Sequence, residues 1–297
     1  MPYSNLQLFA TCVLIWGSTW LAITFQLGDV APEMSVGYRF LLAAAVLFIF
    51  CRWRGMSLRF RMAQHVDLFL LGTAMFSISY ILVYYAETYI VSGMVAVGNS
   101  ASPLIAMLLS RLFFGTPITR GVMTGASLGL AGIVCVFWPE FARLSESRNA
   151  ELGAVLTMLS VLASSVGSMV AVRTQRRGYP TWTSMAWGML YGGALALVIG
   201  ALLGKPFTFG GGASYSLSLV YLSVFGSVIA FACYLTLMKR LGAAPASYVG
   251  VMVPVVALGV SFLFEKYAWT GMTTLGVGLS VLGNIAMLRK TSVAAAA

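Results

Sequence analysis

The sequence predicts an all-α polytopic membrane protein, with ten transmembrane helices in two inverted five-helix repeats and both termini in the cytoplasm. Three observations lead to this prediction: the apolar composition, the placement of the basic residues and an internal repeat. Of the 297 residues, 60% are hydrophobic and 9% are charged, whereas soluble domains carry about 25% charged residues. So much apolar surface requires lipid as its solvent.

Ten runs of the sequence are apolar enough to cross a bilayer, which takes about 20 residues of helix. Their continuous apolar character, without strict alternation, favours helices over the strands of a barrel. We number these runs spans 1 to 10, and they cover residues 6–26, 35–52, 66–86, 92–111, 120–138, 152–173, 182–203, 216–238, 246–265 and 269–288.

The basic residues predict the orientation, because cytoplasmic loops of membrane proteins are enriched in Lys and Arg. With the N-terminus inside, the inner loops and the C-terminus carry thirteen basic residues, the outer loops carry four, and Arg39 lies within span 2. The same placement accounts for the net charge of +10. We therefore expect membrane lipid as a partner, no nucleic acid, and a location in a bacterial inner membrane.

An internal repeat relates the two halves of the chain. Pro103 in span 4 and Pro254 in span 9 are 151 residues apart, and the same offset matches Gly125 with Gly276 and Gly132 with Gly283. An odd number of helices in each half inserts the second copy upside down. Inverted repeats are typical of secondary transporters, whose substrate site lies between the halves near the midplane.

The repeat also sets the domain boundaries. We expect a first five-helix repeat over 1–138, a periplasmic connecting loop over 139–151, a second repeat over 152–290 and a flexible tail over 291–297.

Several motifs resemble the drug/metabolite transporter superfamily across essentially the whole chain. They are the run Trp16–Trp20, the run Arg39–Leu42, the proline in the fourth helix of each half, and Phe264-Glu265. The sequence is most similar to the EamA-like ten-helix exporters, and within them to YddG-type aromatic amino acid exporters. The resemblance implies a basket of helices whose spans 1, 3, 4, 6, 8 and 9 line a central cavity.

The chain departs from that family in one respect. The family often ends the fourth helix of both repeats with an acidic residue, and here Glu265 occupies the second copy only. The first copy reads Phe113-Phe114-Gly115-Thr116.

Polar and aromatic residues in the middle of the spans are the candidates for substrate binding. Aromatic faces and hydroxyls could form a cavity wall for an amino acid. Helix packing is the alternative, since serines in membranes often bond to their own helix. The candidates are Trp16, Ser18, Tyr80, Tyr84, Asn99, Ser102, Ser164, Ser168, Tyr234, Tyr248 and Met252.

Two further sets of residues are candidates for conformational and structural roles. Gly98 with Pro103, and Gly250 with Pro254, are candidate hinges or static kinks, because each proline frees a carbonyl one turn earlier. Arg39 is read as a structural charge that snorkels or pairs with an outer carboxylate such as Glu265. No carboxylate lies at the midplane, which favours gradient-driven export or coupling through a partially buried outer carboxylate.

The residue inventory argues against enzyme chemistry. The one histidine, His65, lies in a basic loop, and the four cysteines fall in apolar runs, so we predict no catalytic residues, no metal and no cofactor. The leading hypothesis is a monomeric exporter of small metabolites, most simply aromatic or hydrophobic amino acids, working by alternating access. The alternatives are a transporter of another metabolite or drug, including phosphorylated cargo, and a less selective channel-like pore.

Overall fold

The structure is a computed structural model that describes residues 3–115, 120–142, 148–241, 248–266 and 268–294. The described residues form helices and connecting turns, without a β-strand among them. The helices are α1 Asn5–Thr24, α2 Pro32–Trp53, α3 Met62–Leu71, α4 Ser79–Glu87, α5 Ser92–Asn99, α6 Ser102–Phe114, α7 Arg120–Ala142, α8 Arg148–Arg176, α9 Thr181–Leu202, α10 Ala213–Val220, α11 Ala230–Leu241, α12 Tyr248–Phe264 and α13 Gly271–Ala294.

The helices are those of a multi-pass membrane protein. Among the described residues, seven helical stretches are long and apolar enough to cross a membrane: Asn5–Thr24, Pro32–Trp53, Met62–Glu87, Ser92–Phe114, Asn149–Arg176, Thr181–Leu202 and Ala213–Tyr234. Shorter apolar stretches within the described residues lie in α7, α12 and α13.

Two predicted boundaries differ from the structure. Helices α7 and α8 extend into the predicted loop 139–151 and leave 143–147 between them, a stretch outside the described residues. Helix α13 continues to Ala294, into the predicted tail.

The third span of each half contains a π-helical segment. Gly72–Ile78 joins α3 to α4, and Tyr221–Ile229 joins α10 to α11. The first segment packs against α8 and α9, and the second packs against α1 and α2. Each half therefore places its third span against the first two helices of the other half, as a pair of related repeats would.

Helices α7 and α13 meet through glycines that the 151-residue offset had matched. A Cβ on Gly132 would lie 2.5 Å from the carbonyl oxygen of Gly276, and a Cβ on Gly283 would lie 2.5 Å from that of Gly125. Exchanging the two halves turns the first contact into the second. Small residues allow this close backbone approach, which is the usual means of helix association in membranes.

The two ends of the helix bundle differ in charge. At one end α4 and α12 stop and α2, α5 and α8 begin, and Glu33, Glu87, Glu151 and Glu265 lie there; we call this the acidic end. At the other end α1 and α3 begin and α2 and α8 stop, and Arg52, Arg54, Arg173, Arg176 and Arg177 lie there; we call this the basic end.

The two ends also differ in packing. At the acidic end α4 packs mainly against α8 and also against α1, α2 and α5, and α5 packs against α12. The counterpart of α4 in the second half is α11, whose equivalent neighbours would be α1, α8, α9 and α12. Within the described residues α11 keeps the equivalent packing against α1 and against the π-helical segment that precedes it, but comparable packing to α8, α9 or α12 is absent. The bundle is thus closed at the acidic end and splayed at the basic end.

Candidate functional site

A chain of aromatic rings runs through the middle of the bundle. The Trp16 ring lies 5.4 Å from the Tyr234 ring and 5.1 Å from the Phe231 ring, measured between centroids. Phe231 then contacts Phe76 at 6.0 Å. The chain joins α1 and α11 to the π-helical segment of span 3, so it bridges the two halves of the sequence.

The aromatic chain continues to a buried arginine. Phe76 contacts Phe40 at 5.3 Å, and Phe40 contacts Tyr80 at 4.8 Å. The guanidinium carbon of Arg39 lies 4.6 Å from the centre of the Tyr80 ring, within the range of a cation–π contact. The six rings and Arg39 thus form one connected series, which we call the aromatic chain.

The aromatic chain has a fully buried part and a partly exposed part. Phe40 and Phe76 are fully buried, whereas Trp16, Tyr80, Phe231 and Tyr234 are partly exposed. Among the predicted binding residues, the structure therefore brings Trp16, Tyr80 and Tyr234 together. The Trp16 indole donates a hydrogen bond to the Gly226 carbonyl at 3.1 Å, which fixes its ring.

The predicted serine and asparagine residues bond mainly to their own helices. Asn99 donates to the Val95 carbonyl at 2.9 Å, Ser164 to Val161 at 3.0 Å and Ser168 to Ser164 at 2.9 Å. All three side chains remain partly exposed. These bonds are those of the packing alternative, but they leave the amide and hydroxyl oxygens able to accept further hydrogen bonds.

Ser18 and Tyr84 have partners away from the aromatic chain. The Ser18 hydroxyl lies 2.7 Å from that of Tyr221. Tyr84 is fully buried and donates to the Gln26 side chain at 2.7 Å. Tyr84 therefore lies enclosed in the acidic end in this structure, and its role in substrate binding stays a prediction.

For two candidates, Tyr248 and Pro103, the side chains lie outside the described residues. Met252, on α12, is 37% exposed, as a residue on a cavity wall or facing lipid would be.

The proline in the fourth span occupies a different helical position in each half. In span 4 the helix breaks between Asn99 and Ser102, and Pro103 is the second residue of α6, where a missing N–H costs little. The Ser102 hydroxyl donates to the Asn99 carbonyl at 2.6 Å, the carbonyl that a proline at 103 cannot satisfy. Pro254, in contrast, lies inside the continuous helix α12.

The paired glycines upstream of these prolines differ as well. A Cβ on Gly98 would meet the Thr157 methyl group of α8, whereas a Cβ on Gly250 would meet nothing within 4 Å. Gly98 is packed against α8, whereas the Cβ position of Gly250 faces open space.

Arg39 is neither a snorkelling residue nor a partner of Glu265. It lies seven residues into α2, which is about two helical turns, and it is 2% exposed. Its Nε donates to Ser227 at 3.3 Å, and its Nη1 is buried without a hydrogen-bond partner. The sequence prediction failed here because span 2 begins earlier than hydropathy indicated.

Glu265 instead caps the first helix of the broken span 4. Its carboxylate accepts hydrogen bonds from the Ser92 backbone N–H at 3.3 Å, from the Ser92 hydroxyl at 2.5 Å and from the Ser261 hydroxyl. Ser261 in turn accepts from the Gly93 N–H at 2.8 Å. A carboxylate at a helix N-terminus is stabilising, and this cap joins the end of α12 to the start of α5.

Two more carboxylates are buried at the acidic end. Glu33 is 1% exposed and accepts a hydrogen bond from Tyr85 at 2.8 Å. Glu87 is 7% exposed, and neither of its oxygens has a hydrogen-bond partner. The burial of Glu87 follows from the packing of α4 against α8, α1 and α2.

The basic end contains an ion-pair cluster that sequence analysis missed. Asp67, 3% exposed at its side chain, pairs with Arg173 at 3.2 Å and Arg177 at 2.5 Å and accepts from Tyr179 at 3.0 Å. The cluster holds the start of α3 to the end of α8. These two arginines had been read only as topology signals.

Phe76 and Phe231 also escaped the sequence analysis, although spacing could have identified them. Phe76, Tyr80 and Tyr84 follow one another every four residues, and Phe231 precedes Tyr234 by three, so each lies on the same helix face as a candidate. No group of three or more His, Cys, Asp or Glu that could hold a metal occurs among the described residues.

Comparison with known proteins places the chain in a family. Residues 5–138 and 151–289 each match the EamA-like transporter family. YedA of Escherichia coli K12, named an uncharacterized inner membrane transporter, is 30% identical over 293 residues, which cover 95% of this chain and 92% of YedA. Protein PagO of Salmonella typhimurium LT2 is 25% identical over 263 residues, which cover 88% of this chain and 85% of PagO.

Protein PecM of Dickeya dadantii is 26% identical over 285 residues, which cover 93% of this chain and 89% of PecM. A crystal structure of a protein with 22% identity covers 96% of both chains with a TM-score of 0.70, which shows a common fold. Because the family match covers both halves of the sequence, the chain belongs to the EamA-like transporter family and is a multi-pass membrane transporter.

Proposed function

We propose that this protein exports amino acids with aromatic or hydrophobic side chains across a bacterial inner membrane by alternating access. The observation that carries the proposal is the aromatic chain, whose partly exposed rings Trp16, Phe231, Tyr234 and Tyr80 lie between the two halves. Aromatic faces stack on apolar side chains with modest strength, which suits a cargo that must also be released.

Arg39 provides a reason to expect a carboxylate on the cargo. Its guanidinium is stacked over Tyr80 and its Nη1 has no hydrogen-bond partner, so this group can donate to the carboxylate of a cargo that reaches it. A single buried cation suits one carboxylate better than the several charges of a phosphorylated metabolite. The aromatic chain and Arg39 together therefore favour an amino acid.

The proposed architecture is ten spans in two inverted repeats, 1–138 and 152–290, acting as a monomer surrounded by lipid. We place the basic end and both termini in the cytoplasm, because Lys and Arg concentrate there. The inner-membrane assignment is supported by the similarity to YedA, which is named an inner membrane transporter. In this orientation the splayed basic end receives cargo from the cytoplasm.

Reconstituted transport tests the proposal. Liposomes containing the purified protein are loaded with each of the twenty radiolabelled amino acids, and efflux is compared with that from empty liposomes. We expect saturable efflux that is fastest for phenylalanine, tyrosine, tryptophan and the large aliphatic amino acids.

Substitutions in the aromatic chain give the matched controls. Tyr80→Phe preserves the ring beneath Arg39, and we expect it to keep most of the flux. Tyr80→Ala removes the ring, and we expect at least about a tenfold loss, as removal of about 1.4 kcal/mol of stacking would produce. Equal flux for all twenty amino acids, or none for any, would contradict the assignment while leaving the family membership intact.

A further inference from the structure

The acidic end buries a carboxyl group that receives no hydrogen bond to stabilise its charged form. Glu87, the last residue of α4, is 7% exposed, and both of its oxygens lack a hydrogen-bond donor. The other described carboxylates of low exposure each have at least one donor. Glu265 accepts three hydrogen bonds, Glu33 accepts one at one oxygen and none at the other, and Asp67 is paired with two arginines.

The charged and titratable neighbours of Glu87 come from several elements. Glu265 of α12 and Arg39 of α2 act on it electrostatically, while Tyr84 lies one turn back on its own helix. Glu33 of α2 lies at the same end, bonded to Tyr85. Helix α5 and the π-helical segment of span 3 contain no titratable residue, and Glu151 of α8 is exposed.

Arg39 does not neutralise Glu87 by direct contact. No ion pair joins these two described residues, and the guanidinium is instead placed over the Tyr80 and Phe40 rings and bonded to Ser227. Rings and a hydroxyl can stabilise the cation without an anion beside it. Glu87 has no equivalent group, and the repulsion from Glu265 opposes a second negative charge.

We infer that Glu87 is a proton-binding site, occupied when the acidic end is closed and emptied when that end opens. An anion buried without donors is far less stable than the neutral acid, so closure of α1, α2, α5 and α8 around α4 requires the proton. A metabolite or hydrated ion would need space around the two oxygens, and both are enclosed. A proton needs none, which identifies it as the ligand.

Proton binding at Glu87 predicts the direction in which pH changes the opening of the acidic end. A group that holds a proton in the closed state and loses it in the open state makes opening easier as the pH rises. For one linked proton, the ratio of open to closed protein can rise by up to about tenfold per pH unit. This rests on the proposed alternating access but not on the identity of the cargo.

Thiol labelling tests the inference without any substrate. In a variant in which Cys12, Cys51, Cys135 and Cys233 are replaced, a single cysteine is placed at Ile90, which is 8% exposed at the acidic end. A second variant carries it at Tyr89, which is 38% exposed. The rate at which a membrane-impermeant maleimide labels I90C is divided by the rate at which it labels Y89C. This labelling ratio removes the pH dependence of the thiol itself.

We expect the ratio to rise several-fold between about pH 5 and pH 9. In Glu87→Gln, a neutral side chain of the same shape, the ratio should stay low and flat, whereas Glu151→Gln, at an exposed carboxylate of the same end, should keep the rise. Glu87→Asp retains a titratable group and should retain it also. Size-exclusion chromatography confirms folding of each variant. A pH-independent ratio in the parent protein, or an unchanged rise in Glu87→Gln, would overturn the inference.

Discussion

The two ends of the helix bundle are built from related sequences but behave as opposites. At the acidic end Ser92 bonds to Glu265 across the two halves, while Tyr84 bonds to Gln26 and Tyr85 to Glu33 within the first half. At the basic end α11 packs against α1 but, within the described residues, lacks packing to α8, α9 or α12 comparable to that of α4 with α1, α2 and α5. Because an exact twofold repeat would make both ends alike, the difference is the one that the proposed alternating access predicts for a single conformation.

Some of these features belong to the fold, because they are present in both halves, and others belong to the conformational state, because they occur at one end only. The glycine contact of α7 with α13 and the reciprocal packing of the two π-helical segments are present in both halves, so they form the constant framework. The Glu265 cap and the buried Glu87 exist only at the closed end. In the proposed alternating access, opening of that end breaks the cap and exposes Glu87 to water.

The largest effect should come from an alanine placed at each end. A Cβ on Gly93 would lie 2.7 Å from the Ser261 hydroxyl oxygen and 3.0 Å from Leu258, so Gly93→Ala should overpack the closed end and cost about 3 kcal/mol. Gly250→Ala is the matched control, since its Cβ meets nothing within 4 Å. Thermal unfolding in detergent should show a lower Tm for Gly93→Ala alone.

Equal changes in Tm for the two glycine variants would show that the ends are packed alike. That result would contradict the distinction between a closed and a splayed end.

A smaller effect is expected from the ion-pair cluster of the basic end. Asp67→Asn removes the charge that Arg173 and Arg177 share, and we expect a loss of about 2 kcal/mol of stability. The arginines are half exposed and can be hydrated instead, which limits the loss. Because the cluster ties α3 to α8 and not one end to the other, the I90C labelling ratio should not change.

The smallest of these effects should come from the cap at the acidic end. Glu265→Gln removes the charge but keeps one acceptor for Ser92, so the cost should be about 1 kcal/mol. The loss applies to the closed state only, so I90C should label faster at every pH. Labelling unchanged from the parent protein would mean that the cap does not hold the end closed.

Sequence alone predicted the helical membrane fold and the repeat, because composition and offset are properties of the chain itself. It also brought Trp16, Tyr80 and Tyr234 forward as candidates, and these rings do meet in one chain. The positions of Arg39, Tyr84 and Glu87 could not be predicted, because their burial depends on which end of the bundle is closed. The Asp67 cluster could not be predicted either, because the partners of Asp67 are more than 100 residues away in the sequence.

The central claim is that the two ends open and close in opposition around the aromatic chain, and a pair of distance measurements tests it most directly. Spin labels are attached at Asp29 and Tyr89 across the acidic end, and at Leu6 and Arg176 across the basic end, all of them exposed positions. Pulsed electron paramagnetic resonance then reports both distances with phenylalanine added and as the pH is raised. We predict that the acidic-end distance lengthens while the basic-end distance shortens; two distances that stay fixed, or that change in the same direction, would contradict the account.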